Sequence, residues 1–133
     1  MNRRSTPKAA ALAGLLALTS LLTACGPNYA GTQFHPRSTA PVPVSLEPGR
    51  ITLPVGIAIT ARVDPQSTNN HEYDEYYQLR LSSQDTSVAD VKRGPLEREF
   101  VFIGVDEGTT CVEVVMNGEF YECIELIVQA PQS

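Results

Sequence analysis

The most regular feature of the chain is an alternation of apolar and polar residues that begins after Pro48. In residues 57–64, one face of an extended chain would carry the apolar side chains of Ile57, Ile59, Ala61 and Val63. The same alternation recurs in residues 73–82, 89–91, 100–105, 110–116 and 120–128. Turn-forming residues separate these stretches at roughly ten-residue intervals, which is typical of β-sandwiches. Because each strand has one apolar face to bury, the pattern predicts an all-β domain of two facing sheets over residues 49–130.

Residues 1–24 have the features of a removable secretory signal peptide. A basic start is followed by an apolar run over residues 9–22 and then by small residues, which is the three-part plan of such leaders. The run is about 14 residues long, whereas a helix needs about 20 to cross the hydrocarbon core of a bilayer. We therefore expect this leader to be removed on export rather than kept as a membrane anchor.

The expected cleavage region, Leu22-Thr23-Ala24-Cys25-Gly26, resembles the lipobox of bacterial lipoproteins. The resemblance implies that the Cys25 thiol takes a diacylglycerol group and that Cys25 becomes the lipidated N-terminus of the mature chain. More than one acyl chain anchors a protein stably in a membrane, where a single chain binds only marginally. Gly26 stands where Asp is associated with inner-membrane retention, so the resemblance implies an outer-membrane location in a Gram-negative host.

Residues 25–48 are predicted to form the lipidated N-terminus and a flexible, Pro-rich linker. The segment holds five of the ten prolines of the chain, and its apolar residues are sparse and follow no period. Such a segment buries too little apolar surface to offset the entropy lost on ordering, so we expect it to hold the domain away from the lipid. His35 lies in this segment, and we expect its side chain to be solvated rather than to bind a metal.

The net charge limits the partners that the domain can have. The chain carries a formal charge of -5, and the leader takes Arg3, Arg4 and Lys8 with it but no acidic residue. The mature chain is therefore more acidic still, which argues against nucleic acid as a partner because phosphates require a basic surface. The same charge argues against attraction to anionic lipid headgroups.

Three segments after the predicted linker carry a family resemblance. They are ITLPVG at residues 51–56, LSSQDTSVADV at residues 81–91 and GVDEGTT at residues 104–110. In this order and spacing they resemble the bacterial Ig-like group 2 family, which also occurs in invasin-type proteins. The resemblance implies an Ig-like β-sandwich of about seven short strands, with Leu81 in the core position where the family usually has Trp. It leaves the ligand open, because the family serves adhesion, carbohydrate contact and plain spacing.

The odd number of cysteines in an exported chain leaves one outside any disulfide, and lipidation of Cys25 accounts for it. Cys111 and Cys123 remain, and the compartment beyond the inner membrane permits a disulfide between them. Closing a loop of about 13 residues would stabilise the domain by roughly 2–3 kcal/mol. The alternative is that both cysteines are free and buried, while a redox pair is disfavoured because the C-x-x-C spacing is absent.

The turn between these two cysteines has two candidate registers. A two-residue turn at Asn117-Gly118 pairs Cys111 with Ile124 and sets two glutamates, Glu113 and Glu122, opposite each other, which is unfavourable. A three-residue loop over residues 116–118 instead pairs Cys111 with Cys123. In that register the apolar face holds Val112, Val114, Phe120, Ile124, Leu126 and Val128, and the polar face holds Glu113, Glu119, Tyr121 and Glu125. The separation of faces, with Glu122 as the exception, favours the three-residue loop.

The sequence contains no motif for nucleophilic catalysis, metal-assisted hydrolysis or phosphate binding. His71 is the only histidine of the predicted domain, so a catalytic base is scarce. Oxygen ligands suit a hard cation, so the acids of residues 72–75 together with Asp64 are candidate ligands for calcium. The spacing of a calcium loop is absent, however. We expect no enzymatic activity, no cofactor and no bound metal.

Residues 66–76 form the longest expected insertion between strands, and loops on a rigid sandwich commonly carry binding residues. The candidate partner-binding residues are Glu72, Tyr73, Asp74, Glu75 and Tyr76. Their carboxylates would favour a basic protein patch or a cation-bridged glycan, and the tyrosines would add contact area. The alternative is that one tyrosine packs in the core and the charges are simply solvated.

Two functions are compatible with these features. The first is a non-enzymatic, envelope-anchored lipoprotein whose Ig-like domain binds a protein or glycan at the cell envelope. The alternative is a structural spacer or assembly accessory with no ligand of its own. A single domain argues mildly against a spacer, because spacers usually come in tandem.

Overall fold

The computed structural model describes residues 26–74 and 76–131. The predicted leader and the predicted lipidation site Cys25 lie outside the described residues. The described chain forms nine strands: β1 (Tyr29–Pro36), β2 (Ser45–Glu47), β3 (Arg50–Pro54), β4 (Ala58–Ser67), β5 (Leu79–Ser83), β6 (Ala89–Arg93), β7 (Glu99–Gly104), β8 (Gly108–Met116) and β9 (Glu119–Gln129). Within that part of the chain, no helix has the length and apolar character needed to cross a membrane.

The strands form a sandwich of two sheets. One sheet has four strands in the order β1-β4-β7-β6, and the other has five in the order β2-β3-β9-β8-β5. Neighbouring strands are antiparallel except for β3 and β9, which are parallel. The largest fully buried side chains between the sheets include Phe100, Phe102, Ile51, Leu53, Leu79, Met116, Ile124 and Leu126. The predicted all-β, Ig-like sandwich is confirmed, with nine described strands in place of about seven.

The alternation that predicted the strands also predicted which residues face the core. In β4, Ile59, Ala61 and Val63 are buried and the residues between them are partly exposed. In β5, Leu79 and Leu81 are buried, so Leu81 takes the predicted core position. The strand predicted over residues 73–82 is shorter than expected, because β5 begins at Leu79 and the preceding residues belong to a loop.

The prediction of a flexible linker over residues 25–48 is wrong for two segments of it. Residues 29–36 form β1, which lies antiparallel to β4 along the edge of its sheet, and residues 45–47 form β2, which pairs with β3. Phe34 of β1 packs edge-on against Phe102 with ring centroids 5.9 Å apart. The sandwich therefore begins at β1 rather than at residue 49.

The prolines of this segment shape the fold instead of preventing it. Pro36 is the last residue of β1, and Pro48 precedes Gly49, whose positive φ of 85° forms the tight turn between β2 and β3. The strand β1 covers an edge of β4 that would otherwise present unpaired backbone groups to solvent. Sparse apolar residues are sufficient here because a single edge strand buries only one face.

The β8–β9 hairpin adopts neither predicted register. Its turn has two residues, Asn117 and Gly118, with φ of 50° and 82°, and positive values at both positions are what the tightest hairpin turns require. A bulge then shifts the register between Val114 and Val115, so that Val114 lies opposite Glu122. The expected three-residue loop is therefore wrong, because the Asn-Gly pair forms the turn alone and the extra residue is absorbed within β9.

The predicted disulfide between Cys111 and Cys123 is confirmed, with Cα atoms 5.4 Å apart. It joins the strands diagonally, because Cys111 lies opposite Glu125 and Cys123 lies opposite Glu113. The predicted direct pairing of the two cysteines is wrong, although their connection is right. A diagonal neighbour on the same face of a hairpin is still within reach of its side chain.

The bulge also changes the faces of the aromatic residues beside the turn. Phe120, predicted for the core face, is 56% exposed, whereas Tyr121, predicted for the polar face, packs against the core. Glu122, which fitted neither predicted face, accepts a hydrogen bond from the hydroxyl of Tyr29 at 2.5 Å. The exposed phenylalanine becomes relevant to the surface described below.

Candidate functional site

The predicted binding residues lie in the connection between β4 and β5, which spans residues 68–78 and is called the β4–β5 loop here. The loop lies at the end of the sandwich where the described chain begins, because Tyr29 of β1 pairs with Ser67 of β4. The β6–β7 loop (residues 94–98) and the β8–β9 turn (residues 117–118) lie at the same end, as the strand pairings require. We call it the proximal end and the opposite one the distal end.

Asn69 fixes the first half of the β4–β5 loop. Its side-chain oxygen accepts hydrogen bonds from the Ser67 hydroxyl at 2.6 Å and from the His71 backbone N–H at 3.1 Å. Its side-chain nitrogen donates to the carbonyl of Gly26 at 2.8 Å. One side chain therefore forms a local turn and also joins the loop to the first described residue of the chain.

Tyr73 anchors the middle of the loop in the core, where its side chain is 6% exposed. Its ring packs edge-on against Tyr29 at 6.3 Å, Tyr77 at 5.1 Å and Tyr121 at 6.4 Å between centroids. Burial raises the pKa of the Tyr73 hydroxyl, because the ionised form would lose its hydration. The prediction that Tyr73 offers contact area to a partner is wrong, and the alternative that one tyrosine of the loop packs in the core is the one observed, since the ring is already covered.

The five tyrosines of the sequence form one continuous series of ring contacts at the proximal end. Tyr29 is central, because it contacts two of these rings and donates its hydroxyl to Glu122. Burial, followed by the hydrogen bond to Glu122, raises the pKa of Tyr29 well above its usual range. Burial and the neighbouring Glu119 carboxylate likewise raise the pKa of Tyr121. Tyr29, Tyr73 and Tyr121 therefore stabilise the loop by packing, in their neutral form.

Arg98 holds the second half of the β4–β5 loop. Its guanidinium donates to the carbonyl of Asp74, which also accepts the backbone N–H of Tyr77 at 3.1 Å. Arg98 is 9% exposed and has a positive φ of 58°. Its own carbonyl accepts the backbone N–H of Val63 at 2.8 Å. Arg98 therefore links the β6–β7 loop, strand β4 and the β4–β5 loop.

Three of the five predicted binding residues remain on the surface. Glu72 and Asp74 are exposed, and Tyr76 is 81% exposed. Glu75 lies outside the described residues. The Asp74 carboxylate accepts the backbone N–H of Tyr76 at 3.0 Å, so it shapes the turn as well as facing solvent.

A polar cleft of about 370 Å³ lies between the β4–β5 loop and the solvent face of β4. Its walls include Arg62 and Asp64, whose side chains are joined by a contact of 3.0 Å. The hydrogen bond to Asp64 raises the pKa of the Arg62 guanidinium. His35, expected in a solvated linker, is half-exposed on β1 with Nε2 3.2 Å from the same carboxylate. Arg62 and Asp64 thus contact each other within the cleft, whereas Glu72, which also lines it, is exposed.

The acidic, histidine and cysteine side chains of the described part of the chain are not gathered into one cluster. Among the described residues, no group of three or more His, Cys, Asp or Glu side chains lies close enough together to hold a metal ion. Asp64, considered above as a calcium ligand, contacts Arg62 and His35 instead. His71 is exposed and its backbone, rather than its imidazole, makes the contact within the loop.

Sequence reasoning did not identify Asn69 or Arg98, the two residues that position the loop. The Ser67-Thr68-Asn69 segment did carry a signal, because an asparagine after a strand commonly forms a local turn through its side chain. Arg98 carried none, because its role depends on the approach of two loops that are distant in sequence. Both residues act on the site by positioning the loop.

The fold and site define a small β-sandwich domain of the Ig-like class, and no family model and no curated protein matches the sequence. Among solved structures, the chain is similar to domains 5–6 of the S-layer protein SbsC, with a TM-score of 0.54 and 15% identity over 81% of this chain and 47% of that one. A structure of domains 1–6 of the surface layer protein SbsC gives a TM-score of 0.53 and 15% identity, covering 81% of this chain and 14% of that one. At this identity the likeness shows the fold alone, and the chain spans less than half of either structure.

Proposed function

We propose that this chain is a non-enzymatic lipoprotein of the cell envelope whose Ig-like sandwich is a structural or assembly module. The observation that carries the proposal is the fold, a β-sandwich similar to domains of a surface layer protein. The signal-peptide pattern and the lipobox-like residues 22–26 support a location outside the cytoplasm, with acyl chains on Cys25 as the anchor. The resemblance to the bacterial Ig-like group 2 family supports a role at the surface.

The charges of the proximal end support the non-enzymatic part of the proposal. Arg98 is used to hold a loop carbonyl, and Arg62 and His35 both face Asp64. An active site needs an acid, base or nucleophile directed toward a substrate. Arg98, Arg62, His35 and Asp64 are instead directed toward other groups of the protein, which supports a structural surface.

Lipidation is tested by replacing Cys25 with Ser in the full chain. The wild type should fractionate with membranes, and its mature N-terminus should show the mass of acyl chains on Cys25. The Cys25→Ser variant should lose both properties, because the thiol that takes the diacylglycerol group is absent. A mature wild-type protein with an unmodified Cys25 would contradict the proposal.

The assembly role is tested by photo-crosslinking in intact cells. A photoreactive amino acid is placed at Arg80 on β5 or Lys92 on β6, two exposed positions on opposite sheets, and at Tyr76 in the β4–β5 loop. An assembly module should give crosslinks to a second copy or to envelope proteins from a sheet face. Crosslinks to protein from the loop position alone would contradict the assembly role and support loop-mediated binding.

Loop-mediated binding of a protein or glycan is the second candidate function. It is favoured by the exposure of Glu72, Asp74 and Tyr76 on one loop. Because exposed charges are screened by salt, such binding should weaken as ionic strength rises. Shortening the loop between Tyr73 and Leu79 should remove the captured partner while the circular dichroism of the sandwich is retained. An unchanged set of captured proteins would contradict this second candidate.

A further inference from the structure

The described chain begins at the proximal end without a free tether. The Gly26 carbonyl accepts the Asn69 side chain at 2.8 Å. The backbone of Asn28 exchanges hydrogen bonds with the end of β4, donating to the Ser67 hydroxyl at 3.1 Å and accepting the Thr68 N–H at 2.9 Å. Cys25 is joined directly to Gly26, and consecutive Cα atoms are about 3.8 Å apart. An acyl group on Cys25 would therefore start one residue from the folded domain.

Three connections meet at this end and are tied together. The β6–β7 loop reaches the β4–β5 loop through Arg98 and the carbonyl of Asp74. The β8–β9 turn reaches the other end of the same loop, because Asn117 and Gln78 exchange two hydrogen bonds of 2.9 and 3.1 Å. The proximal end is thus one continuous surface, fixed with respect to the first described residue.

The same surface carries most of the exposed large apolar side chains. Four such residues occur in the described chain, and three of them are proximal: Tyr76 (81% exposed) in the β4–β5 loop, Leu96 (66%) in the β6–β7 loop and Phe120 (56%) beside the β8–β9 turn. The fourth, Val105 (46%), lies at the distal end. Tyr76 and Leu96 lie in two different loops and Phe120 lies in β9 beside the turn, so no single loop accounts for the clustering.

We propose that the proximal end rests directly on the lipid bilayer, with Tyr76, Leu96 and Phe120 entering its interfacial layer. The proposal rests on the proposed lipidation of Cys25, which places the acyl chains beside this surface. Aromatic side chains favour the interface because their rings are apolar while a tyrosine hydroxyl stays hydrated. The contact is apolar rather than electrostatic, because the charged neighbours Glu72 and Asp74 are acidic and anionic headgroups would repel them.

This orientation assigns opposite roles to the two ends. The distal end, with the turns at residues 55–57, 84–88 and 105–107, faces away from the membrane and is free to meet other envelope components. The β4–β5 loop faces lipid, so it is not available to a soluble partner. Two acyl chains alone would anchor the protein, but three apolar side chains also fix its orientation.

The chain contains no tryptophan, which allows a test with single tryptophans. Tyr76→Trp, Leu96→Trp and Phe120→Trp place the probe at the proximal surface, and Val105→Trp is the matched control at the distal end. The full chain is expressed with its leader, extracted from membranes and reconstituted into phosphatidylethanolamine–phosphatidylcholine vesicles, with or without lipids that carry a doxyl quencher near the headgroup. Circular dichroism checks that each variant is folded. Because there are three proximal positions, the comparison can still be made if one of these variants does not fold.

The proximal tryptophans should lose intensity in quencher vesicles and shift their emission to the blue, while Val105→Trp should do neither. Equal behaviour at the two ends in protein that floats with the vesicles would overturn the orientation and leave the lipoprotein proposal intact. Protein that neither floats nor carries the mass of acyl chains would overturn the lipoprotein proposal, and the orientation with it. Quenching at Val105→Trp alone would place the distal end on the membrane and also overturn the proposal.

Discussion

The two ends of the sandwich are held together by different kinds of contact. At the distal end, separate connections are joined through backbone atoms: the Gly56 N–H donates to the Gly104 carbonyl at 2.9 Å, and the Val105 N–H donates to the Val88 carbonyl at 2.9 Å. At the proximal end, the longest loop is held by the side chains of an asparagine, a tyrosine and an arginine. The distal end therefore depends on the close approach of backbones, and the proximal end depends on particular side chains.

This difference shows how a small sandwich can carry a variable surface. Backbone contacts tolerate many side chains but no added bulk, whereas a loop held at a few positions can change the residues between them. Glu72 lies between Asn69 and Tyr73, and Tyr76 lies between Asp74 and the hydrogen bonds that join Gln78 to Asn117. Both side chains are exposed. The surface of the proximal end is therefore separable from its stability, and each prediction below tests that separation.

The largest effect is expected from truncating the buried tyrosine of the loop. Tyr73→Ala should lower the free energy of unfolding by about 3–5 kcal/mol, because it removes a buried aromatic ring and leaves a cavity. Urea unfolding followed by circular dichroism measures the loss. Tyr76→Ala, at an exposed ring in the same loop, should change stability by no more than about 0.5 kcal/mol.

Tyr73→Phe is the matched control for the ring itself. The Tyr73 hydroxyl is buried without a hydrogen-bond partner among the described residues, so removing it while keeping the ring should be nearly neutral or slightly stabilising. A large loss in Tyr73→Phe would mean that the hydroxyl, rather than the packing of the ring, holds the loop. Equal losses in Tyr73→Ala and Tyr76→Ala would contradict the separation of surface from stability.

At the distal end, the largest effect is expected from added bulk at Gly104. A Cβ atom there would lie 2.5 Å from the Pro54 carbonyl oxygen, so Gly104→Ala should cost about 1–3 kcal/mol through overpacking against backbone. Gly94→Ala is the proximal counterpart, where the new Cβ would meet the Glu99 side chain at 2.9 Å. Because the nearest atoms there, Cγ and Oε1 of Glu99, can move by side-chain rotation while a backbone carbonyl cannot, Gly94→Ala should lose less stability. Thermal unfolding of both variants gives the comparison, and a larger loss in Gly94→Ala would contradict it.

The sequence was informative where burial is decided locally. The alternation in β4 and β5 is sufficient to identify Ile59, Ala61, Val63 and Leu81 as core residues, because a two-sided strand has to place its apolar residues on one face. The cysteine connection was also predictable, since the two cysteines had no other partner after Cys25 was assigned to lipid. Local pattern and simple counting were sufficient for these features.

The sequence was misleading where the structure of a segment depends on contacts with residues that are distant along the chain. The strand β1 was missed because its proline content indicates flexibility, whereas its formation follows from the unpaired edge of β4, which is far away in sequence. The hairpin register was missed because a bulge inside β9 shifts the pairing, and nothing in the alternation marks an inserted residue. In the candidate site, the sequence left open whether Tyr73 lies at the surface or in the core, because the aromatic cluster that buries it is assembled from separate segments of the chain.

A smaller effect is expected from the asparagine that joins the loop to the start of the described chain. Asn69→Ala removes the bonds to Ser67, His71 and Gly26 and should cost about 1 kcal/mol, since a hydrogen bond of this kind contributes about 0.5–1.5 kcal/mol in net terms. Asn70→Ala, at the exposed neighbouring position, is the control. Amide exchange at His71 should accelerate in the first variant and not in the second, and equal exchange would show that Asn69 does not hold the loop.

The smallest expected effect is a loss of stability at alkaline pH, caused by the tyrosines at the proximal end. Burial raises the pKa of Tyr29, Tyr73 and Tyr121 in the folded chain, while tyrosines of the unfolded chain ionise near pH 10. Above about pH 10 the unfolded state therefore binds fewer protons than the folded state, and stability falls as pH rises. Below that pH both states keep the protons, so this contribution is fully present.

Tyr29→Phe separates this dependence from a general effect of alkali. The variant removes one ionisable hydroxyl whose pKa is raised first by burial and then by the hydrogen bond to Glu122, so its stability should fall less steeply above about pH 10 than that of the wild type. Glu122→Gln removes the negative charge of this partner, while the amide oxygen can still accept the Tyr29 hydroxyl, so it should flatten the dependence less. Urea midpoints measured at several pH values on either side of pH 10 give the three slopes. Identical slopes of stability against pH for the wild type and Tyr29→Phe would mean that Tyr29 ionises as readily in the folded chain as in the unfolded one. This result would contradict the stabilisation of the proximal end by the buried, neutral ring of Tyr29.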